Sequence, residues 1–432
     1  MDFRATSSGW STAGLAATLT AGSLMQGAFY VSQLVLTVTI AGICWIASAA
    51  GSDARAHAPR MVLVGFGLLF AGLAIASAVN GFPAESGKPA LTLLLCVLVY
   101  SLAARAAASD GPALVLDLVV AIAAIAIAAG LIGVAFHLRL WAFPAGSWRL
   151  TSTLTYQNAA AAVCAIALPV ALARGERRWT RAATVVLVAG LVATQSRGGV
   201  VAALAGAAII AFLRPVPDLA RLTFGVLLAT ASIIPALAGM PFAAIIAVPG
   251  MVAGAALAAK RSPEEHAQSR AWWPAVAAAA AVVATLVTTT PVSDRFSATS
   301  NDRGRVWAAT LDAIKDDPAF GTGPGTFEIR RVVDGVPVRT LHAHNEYLQA
   351  AAETGLVGLA LAVAGIAAFA AGLIRSMRAH SPAAVAALAS ATAFLIHSAV
   401  DFLWRIPILP AMCFALLAAG LTSTEARSSE SP

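Results

Sequence analysis

The sequence predicts an all-α protein: a polytopic membrane helix bundle of about 12–14 transmembrane helices, with one long extracytoplasmic loop that contains a short amphipathic helix. Composition is the first reason, because 59% of the 432 residues are hydrophobic and only 11% are charged. The mean hydropathy of +0.81 lies far above that of soluble globular domains. The second reason is that the apolar residues form runs of about 17–25 residues, long enough to cross a bilayer as helices.

The apolar runs give the predicted order of elements along the chain. Several runs are short or separated by only two or three residues, which leaves room for re-entrant or broken helices. We expect transmembrane helices 1–11 over residues 1–289, an extracytoplasmic loop over 290–352, the last three transmembrane helices over 353–421 and a cytoplasmic tail over 422–432. The runs lie near 12–27, 30–50, 60–79, 89–108, 113–135, 158–173, 181–195, 198–213, 220–238, 241–259, 271–289, 353–374, 383–400 and 405–421.

The distribution of basic residues predicts the orientation in the membrane. The formal net charge is +7, and most of the 28 lysines and arginines fall in alternate short loops. By the positive-inside rule these loops are cytoplasmic, which places both termini in the cytoplasm and residues 290–350 outside it. We therefore expect a multi-pass protein in contact with the lipid bilayer and not with nucleic acid.

The loop contains one helix with clear start and end signals, within SNDRGRVWAATLDAIKDDP. Pro318 is expected to end it, and Arg303 shares a helix face with Trp307 and Ile314. Arg305 lies about 200° from Arg303 around the helix axis, and so points more toward water. An interfacial helix with a snorkelling arginine is the alternative. The candidate capping residues are Ser300, Asn301 and Asp302.

Two glycine-rich stretches suggest anion binding with different strength. FGTGPGTF, after Pro318, has turn-forming glycines that could cradle a phosphate, but it lacks the lysine and spacing of a P-loop. TQSRGG, at 194–199, places Arg197 on the outer side, where positive charge is otherwise scarce. A guanidinium beside glycines at the start of a helix is well placed to bind a diphosphate. The alternative is a plain interfacial arginine that contacts lipid headgroups.

The segment HAHNEYLQ, at 342–349, places titratable groups next to a predicted span. His342 and His344 share a side only if the segment is extended, and a neutral imidazole can accept a proton from a hydroxyl. Asn345 as a helix cap is the structural alternative. Metal binding with Glu346 lacks further ligands at a recognisable spacing, and the four cysteines all fall inside apolar runs, so no metal site is predicted.

HSAVDFLWRIP places Asp401 and Arg405 at the outer end of the penultimate span, on the membrane face expected for Arg197 and His344. Asp401 could orient a histidine or pair with Arg405, and the ion pair is the simpler expectation.

These pieces, in this order, resemble the O-antigen ligase and polymerase family of membrane glycosyltransferases. They are SRGG, the R-x-x-x-W of the loop helix, DPAFGTGPGTF, HAHNEYLQAAAETGLVGL and HSAVDFLWRIP. The resemblance spans roughly 145–410, including RLTSTLTYQNAAAA with Arg149 and Asn158. HN-x-x-LQ-x-x-x-E-x-G-x-x-G, in which the acidic residue is Glu353, is its most specific part.

The resemblance implies a metal-independent, inverting enzyme without a cofactor in the cytoplasmic (inner) membrane. It would take a glycan from a polyprenyl (undecaprenyl) diphosphate carrier at the extracytoplasmic face of that membrane. The acceptor would be a saccharide, a lipid-linked core sugar or a protein hydroxyl, and polymerase and ligase both remain open. Arg197 and Arg303 would hold the diphosphate and His344 would activate the acceptor. The supporting candidates are Arg305, His342, Asn345, Glu353, Asp401, Arg405 and Arg149.

Two alternatives to this enzyme stay open from the sequence. One is a transporter or flippase that binds a lipid-linked saccharide without chemistry, and the other is a metal-dependent membrane hydrolase.

Overall fold

The structure is a computed structural model that describes residues 4–50, 58–214, 216, 219–260, 292–333 and 336–422. Helices fill most of these ranges, and the all-α fold class is confirmed. The fourteen helices in this part of the chain are α1 (Arg4–Leu24), α2 (Val31–Ala50), α3 (Arg60–Val79), α4 (Gly87–Asp110), α5 (Pro112–Ala135), α6 (Gln157–Ala173), α7 (Arg178–Thr194), α8 (Arg197–Leu213), α9 (Leu219–Leu237), α10 (Ala244–Ala259), α11 (Val292–Asp316), α12 (Glu346–Arg378), α13 (Pro382–Ser398) and α14 (Ile408–Thr422).

The helices confirm a polytopic membrane bundle. Within the described ranges, α2, α3, α4, α5, α9 and α12 are long and apolar enough to cross a membrane, and α6, α8, α10, α13 and α14 are apolar but shorter. The number of about 12–14 spans stays a prediction. The run predicted at 271–289 lies outside the described residues, as does nearly all of the predicted tail at 422–432.

Helix α6 lies at the centre of the bundle, because it is apolar on every side. Its residues 159–167 are at most 1% exposed, and six of the nine are alanines. Such small side chains let neighbouring helices approach closely. Helices α7, α8 and α13 pack directly against it. This brings the start of α8 next to the end of α13, where the predicted site residues cluster.

Two short antiparallel hairpins were not predicted. One pairs β1 (Ala142–Pro144) with β2 (Trp148–Leu150), and the other pairs β3 (Ile329–Val333) with β4 (Val336–Thr340). Strands this short give little apolar alternation, so the sequence pattern does not reveal them. The second hairpin connects the glycine-rich stretch to HAHNEYLQ.

The loop helix is longer than predicted. Helix α11 begins at Val292, so Ser300, Asn301 and Asp302 lie inside it and the predicted cap there is wrong. Residues 292–299 contain neither proline nor glycine, so nothing in them stops the helix. Its end at Asp316, just before Pro318, agrees with the prediction.

Helix α12 changes direction at Gly355, whose φ of 65° lies in the left-handed region. A Cβ there would lie 2.1 Å from the carbonyl oxygen of Ala319. The amides of Leu356 and Val357 donate to the carbonyls of Pro318 and Ala319 at 2.8 and 3.2 Å. The glycine-rich stretch therefore packs into the bend and separates the first turns of α12 from the long apolar part.

Candidate active site

His344 and Asp401 form the centre of the candidate site. The Nδ1 atom of His344 lies 3.1 Å from Oδ1 of Asp401. His344 precedes α12, where the Asn345 side chain accepts hydrogen bonds from the amides of Tyr347 and Leu348 and caps the helix. The backbone of His344 is left-handed, with φ of 50°. Non-glycine residues adopt this region infrequently, and histidine is among those that do so more often.

Asp401 is 1% exposed and accepts hydrogen bonds from several donors. The Tyr156 hydroxyl donates to it at 2.8 Å, the Phe402 amide donates at 2.9 Å, and the Asn158 side-chain amide also donates. Burial raises its pKa, but the hydrogen bonds from His344 and Tyr156 and the charge of His344 outweigh burial, so the pKa lies below its ordinary value. An ionised carboxylate only accepts, so it favours a proton on Nδ1 of His344, and the Nε2 lone pair is available whenever the ring is neutral.

Both histidines of HAHNEYLQ pack against Phe402, His342 face to face and His344 in an edge contact at 5.0 Å. The His342 ring is nearly parallel to Phe402, with centroids 4.1 Å apart, and Phe402 also stacks with Tyr156 at 5.2 Å. Burial, followed by the charges of Arg405 and Lys88, lowers the pKa of His342 to about 3. His342 is therefore a neutral packing ring, and His344 is the histidine that contacts Asp401.

Arg303 lies near this centre, on the face of α11 that meets the protein. Val306 is 3% exposed, and the Trp307 indole donates to the carbonyl of Ala343 at 2.9 Å, so α11 is attached directly to the histidine segment. Burial and the charge of Asp401 raise the pKa of Tyr156 well above its usual value, and Arg303 acts on it in the opposite direction. Arg305 is exposed, as the helix periodicity predicted.

Arg197 is exposed at the start of α8, where the Ser196 side chain accepts a hydrogen bond from the Gly199 amide at 3.3 Å. Gly198 permits close contact with the end of α13, because a Cβ there would lie 2.6 Å from a methyl carbon of Val400. The N-terminus of α8, which favours anions, therefore abuts the segment that carries Asp401.

Arg149 belongs to the hairpin beside the turn that precedes Arg197. The Gln195 side chain, in that turn, bonds the Trp148 carbonyl at 3.3 Å and the Ser147 hydroxyl at 3.0 Å. The hairpin that contains Arg149 therefore lies beside the start of α8. Arg149 and Arg197 are 48 positions apart along the chain, which gave no indication of this.

Arg405 does not pair with Asp401, which corrects the simpler expectation. Its guanidinium Nη2 donates to Glu353 at 2.8 Å, and its Nε lies 3.7 Å from Glu346. The two positions are four apart, but residues 399–407 do not continue α13 as an α-helix, so the i, i+4 geometry is absent. Asp401 meets His344 instead, the other option that the sequence left open.

The glycine-rich stretch supports α12, and its amides are already used. The amides of Thr322 and Gly323 donate to the carbonyls of Ala352 and Glu353 at 3.0 and 2.9 Å. The Gly325 amide donates to the Glu353 carboxylate at 2.6 Å. The weak prediction of a phosphate cradle is therefore wrong for these three amides.

Sequence reasoning missed three residues that shape the site. Tyr156 and Phe402 complete the aromatic stack, and Gln349 accepts from the Ala343 amide at 3.0 Å while donating to Glu353 at 2.9 Å. Tyr156 stands two residues before Asn158 in a stretch already recognised, and Gln349 lies in the most specific motif. Their proximity to those motifs was the available signal.

The fold and the site define a polytopic membrane protein in which a histidine–aspartate pair lies beside arginine-bearing helix ends. A family model described as O-antigen ligase matches residues 182–363, and this match confirms the resemblance to the O-antigen ligase family. The match contains Arg197, Arg303 and His344 and ends before Asp401. No curated protein sequence matches the chain. The family and the apolar helices support a glycosyl-transfer role at a membrane.

Proposed function

We propose that the protein transfers a glycan from a polyprenyl diphosphate carrier to an acceptor hydroxyl at the outer face of the cytoplasmic membrane. The contact between His344 and Asp401 carries the proposal, because an imidazole that donates from Nδ1 to a carboxylate has Nε2 free to accept a proton when the ring is neutral. A base and a cluster of cations are what attack by a hydroxyl on a diphosphate-activated sugar needs.

In the proposed reaction, Nε2 of His344 takes the proton from the acceptor hydroxyl while its oxygen forms a bond to the anomeric carbon of the donor. The bond between that carbon and the phosphate oxygen breaks, and polyprenyl diphosphate leaves with the electron pair. A single displacement of this kind inverts the anomeric configuration. Asp401 positions the imidazole and stabilises the charge that the imidazole gains.

Arg197 and Arg303 would hold the departing diphosphate. Guanidinium groups bind phosphate oxygens in a bidentate fork, and they stabilise developing negative charge without a metal ion. The N-terminal dipole of α8 adds to the field of Arg197. The exposure of Arg197 and the partial exposure of Arg303 leave both side chains accessible to a lipid-linked substrate.

The test uses purified protein, a defined polyprenyl-diphosphate glycan and candidate acceptors, with products identified by mass spectrometry. We expect an acceptor whose mass has increased by the glycan, and loss of that product in His344→Gln. His380→Gln is the matched control, because that exposed histidine follows the other end of α12. Binding of the donor with no product from any acceptor would favour a transporter and contradict the enzyme.

A further inference from the structure

The first two turns of α12 carry a polar face that is buried in the protein. Glu346, Gln349 and Glu353 follow one another at spacings of three and four residues, which places them on one side of the helix. They are 6%, 1% and 2% exposed. A buried carboxylate destabilises the fold unless hydrogen bonds or an opposite charge compensate it, so the partners of this polar face indicate its role.

Each side chain of the polar face accepts a hydrogen bond from the backbone of a different segment. The three donors belong to the segment that carries Asp401, to the histidine segment and to the glycine-rich stretch. They are the amides of Trp404, Ala343 and Gly325, which donate to Glu346, Gln349 and Glu353 at 2.9, 3.0 and 2.6 Å. Two turns of one helix therefore hold three segments that are separate in the sequence.

Glu346 links the two segments that carry the proposed base and its partner. It lies two positions after His344, and the amide that it accepts belongs to Trp404, three positions after Asp401. Its second carboxylate oxygen lies 3.7 Å from Nε of Arg405. Because His344 and Asp401 reach their 3.1 Å contact from separate segments, that distance depends on what holds the segments together.

The polar face lies on a piece of helix that is fixed at both ends. The Asn345 side chain caps its start by accepting two amides. At the other end, the two amides that follow Gly355 donate to the carbonyls of Pro318 and Ala319. Side chains on a fixed helical element hold a site more accurately than side chains on a loop do.

We propose that Glu346 is a positioning residue for the His344–Asp401 pair. By holding the Trp404 amide, it sets the distance between the imidazole and the carboxylate. Its effect on turnover rests on the proposed function, whereas its effect on the contact between the two side chains does not require transfer.

Steady-state kinetics of glycan transfer by the full-length protein test this role with two substitutions. Glu346→Leu leaves the Trp404 amide without its acceptor, and we expect kcat to fall about 10- to 100-fold, since a misplacement of about 1 Å can lower a rate about 10²-fold. The KM for the donor should stay within about twofold, because the arginines proposed to hold the diphosphate lie on α8 and α11. Glu346→Gln keeps an oxygen that accepts from Trp404 and should keep kcat within about fivefold.

Ser390→Ala is the matched control for the loss of one buried hydrogen bond. The Ser390 hydroxyl, in the middle of α13, donates to the carbonyl of Ile166 at 2.7 Å. We expect both Ser390→Ala and Glu346→Leu to unfold at a lower temperature, and only Glu346→Leu to lose kcat. Equal kcat in these two variants, equal loss in Glu346→Leu and Glu346→Gln, or a change in KM alone would overturn the proposal.

A milder substitution keeps the test decisive if Glu346→Leu does not fold. Glu346→Asp retains the charge but is one methylene shorter, so its oxygen withdraws from the Trp404 amide. We expect kcat to fall about tenfold in this variant. The kcat of the wild type in a folded Glu346→Asp variant would count against the positioning role.

NMR of the protein with isotope-labelled histidine observes the contact itself. The signal of the Nδ1 proton of His344 is identified by its absence from His344→Gln. A hydrogen bond to a buried carboxylate moves such a proton downfield, so we expect the signal to move upfield or to be lost by exchange with water in Glu346→Leu. It should be unchanged in Ser390→Ala. An unchanged signal in Glu346→Leu would contradict the proposal.

The NMR signal also separates this role from the proposed function. If the wild type makes no product, but the signal responds to Glu346→Leu and not to Ser390→Ala, the transferase fails and the positioning role stands. If transfer proceeds and neither kcat nor the signal responds to Glu346→Leu, the positioning role fails alone.

Discussion

Replacing Asp401 with asparagine tests how far the proposed base depends on its partner. In the wild type, four groups donate to this one carboxylate: the His344 ring, the Tyr156 hydroxyl, the Asn158 amide and the Phe402 amide. An asparagine keeps one accepting oxygen and presents an N–H₂ group in place of the other. If that group faces His344, the ring must accept at Nδ1, and its proton moves to Nε2, where the acceptor hydroxyl has to be deprotonated.

The size of the effect follows from that change of tautomer. In serine proteases the equivalent aspartate-to-asparagine change lowers kcat about 10⁴-fold. Because Asp401 is buried with a comparable bond to the ring, we expect kcat to fall about 10³- to 10⁴-fold, which is about 4 to 5.5 kcal/mol in barrier height. KM for the donor should change little, since Asp401 is not proposed to touch the diphosphate.

The assay is the initial rate of glycan transfer over a range of donor concentrations, with thermal unfolding as the check on folding. Asn158→Ala is the matched control, because it removes one donor to Asp401 and leaves the His344 bond intact; we expect a loss below about tenfold. A folded Asp401→Asn variant with kcat within tenfold of the wild type, or with only a raised KM, would refute the reasoning.

Four further outcomes are expected in the same transfer assay. Arg303→Lys keeps the charge but loses the planar fork and should lower turnover about 10- to 100-fold, while Arg305→Lys, on the exposed face, should stay within about twofold; equal effects would argue against diphosphate binding at this face. His342→Gln should keep turnover within about fivefold, since this ring stacks on Phe402 while His344 is the histidine bonded to Asp401, and complete loss would make His342 the base. Gln349→Leu leaves the Ala343 amide without its acceptor and should lower kcat about tenfold with an unchanged KM; an unchanged kcat would show that this bond does not hold the histidine segment. Chelation should leave turnover unchanged, and a loss restored by a divalent cation would favour a metal-dependent enzyme.

The helices could be predicted because their signal is local. A run of apolar residues long enough to span a bilayer fixes a helix wherever it lies in the chain, and most predicted runs agree with the helix bounds within a few residues. The exposed position of Arg305 and the buried Thr310 on the opposite face of α11 also follow from a periodicity of a few residues.

The partner of Asp401 could not be predicted, because Asp401 and His344 are more than 50 positions apart in the sequence. Sequence spacing favoured Arg405, four positions away, yet the chain around them is not α-helical. In the structure, His344 meets Asp401 from the turn before α12, and Tyr156 meets it from the start of α6. Short-range sequence patterns carry no information about such long-range contacts.

The use of the glycine-rich stretch could not be predicted for the same reason. Its glycines indicate tight turns and close approach, and the structure contains both. They approach the bend at Gly355, the carboxylate of Glu353 and the segment that precedes α4. Composition predicted the backbone conformation, and only the tertiary arrangement identified the partner.

The most direct test of the proposed base is a single-turnover experiment with His344→Gln at saturating donor and acceptor. The base is needed for bond formation, and the arginines that would hold the donor are unchanged in this variant. We predict that donor binding stays within about threefold of the wild type while the rate of glycan transfer falls at least about 10³-fold, near the range for loss of a positioned general base. Transfer by His344→Gln at a rate close to that of the wild type would contradict His344 as the group that activates the acceptor.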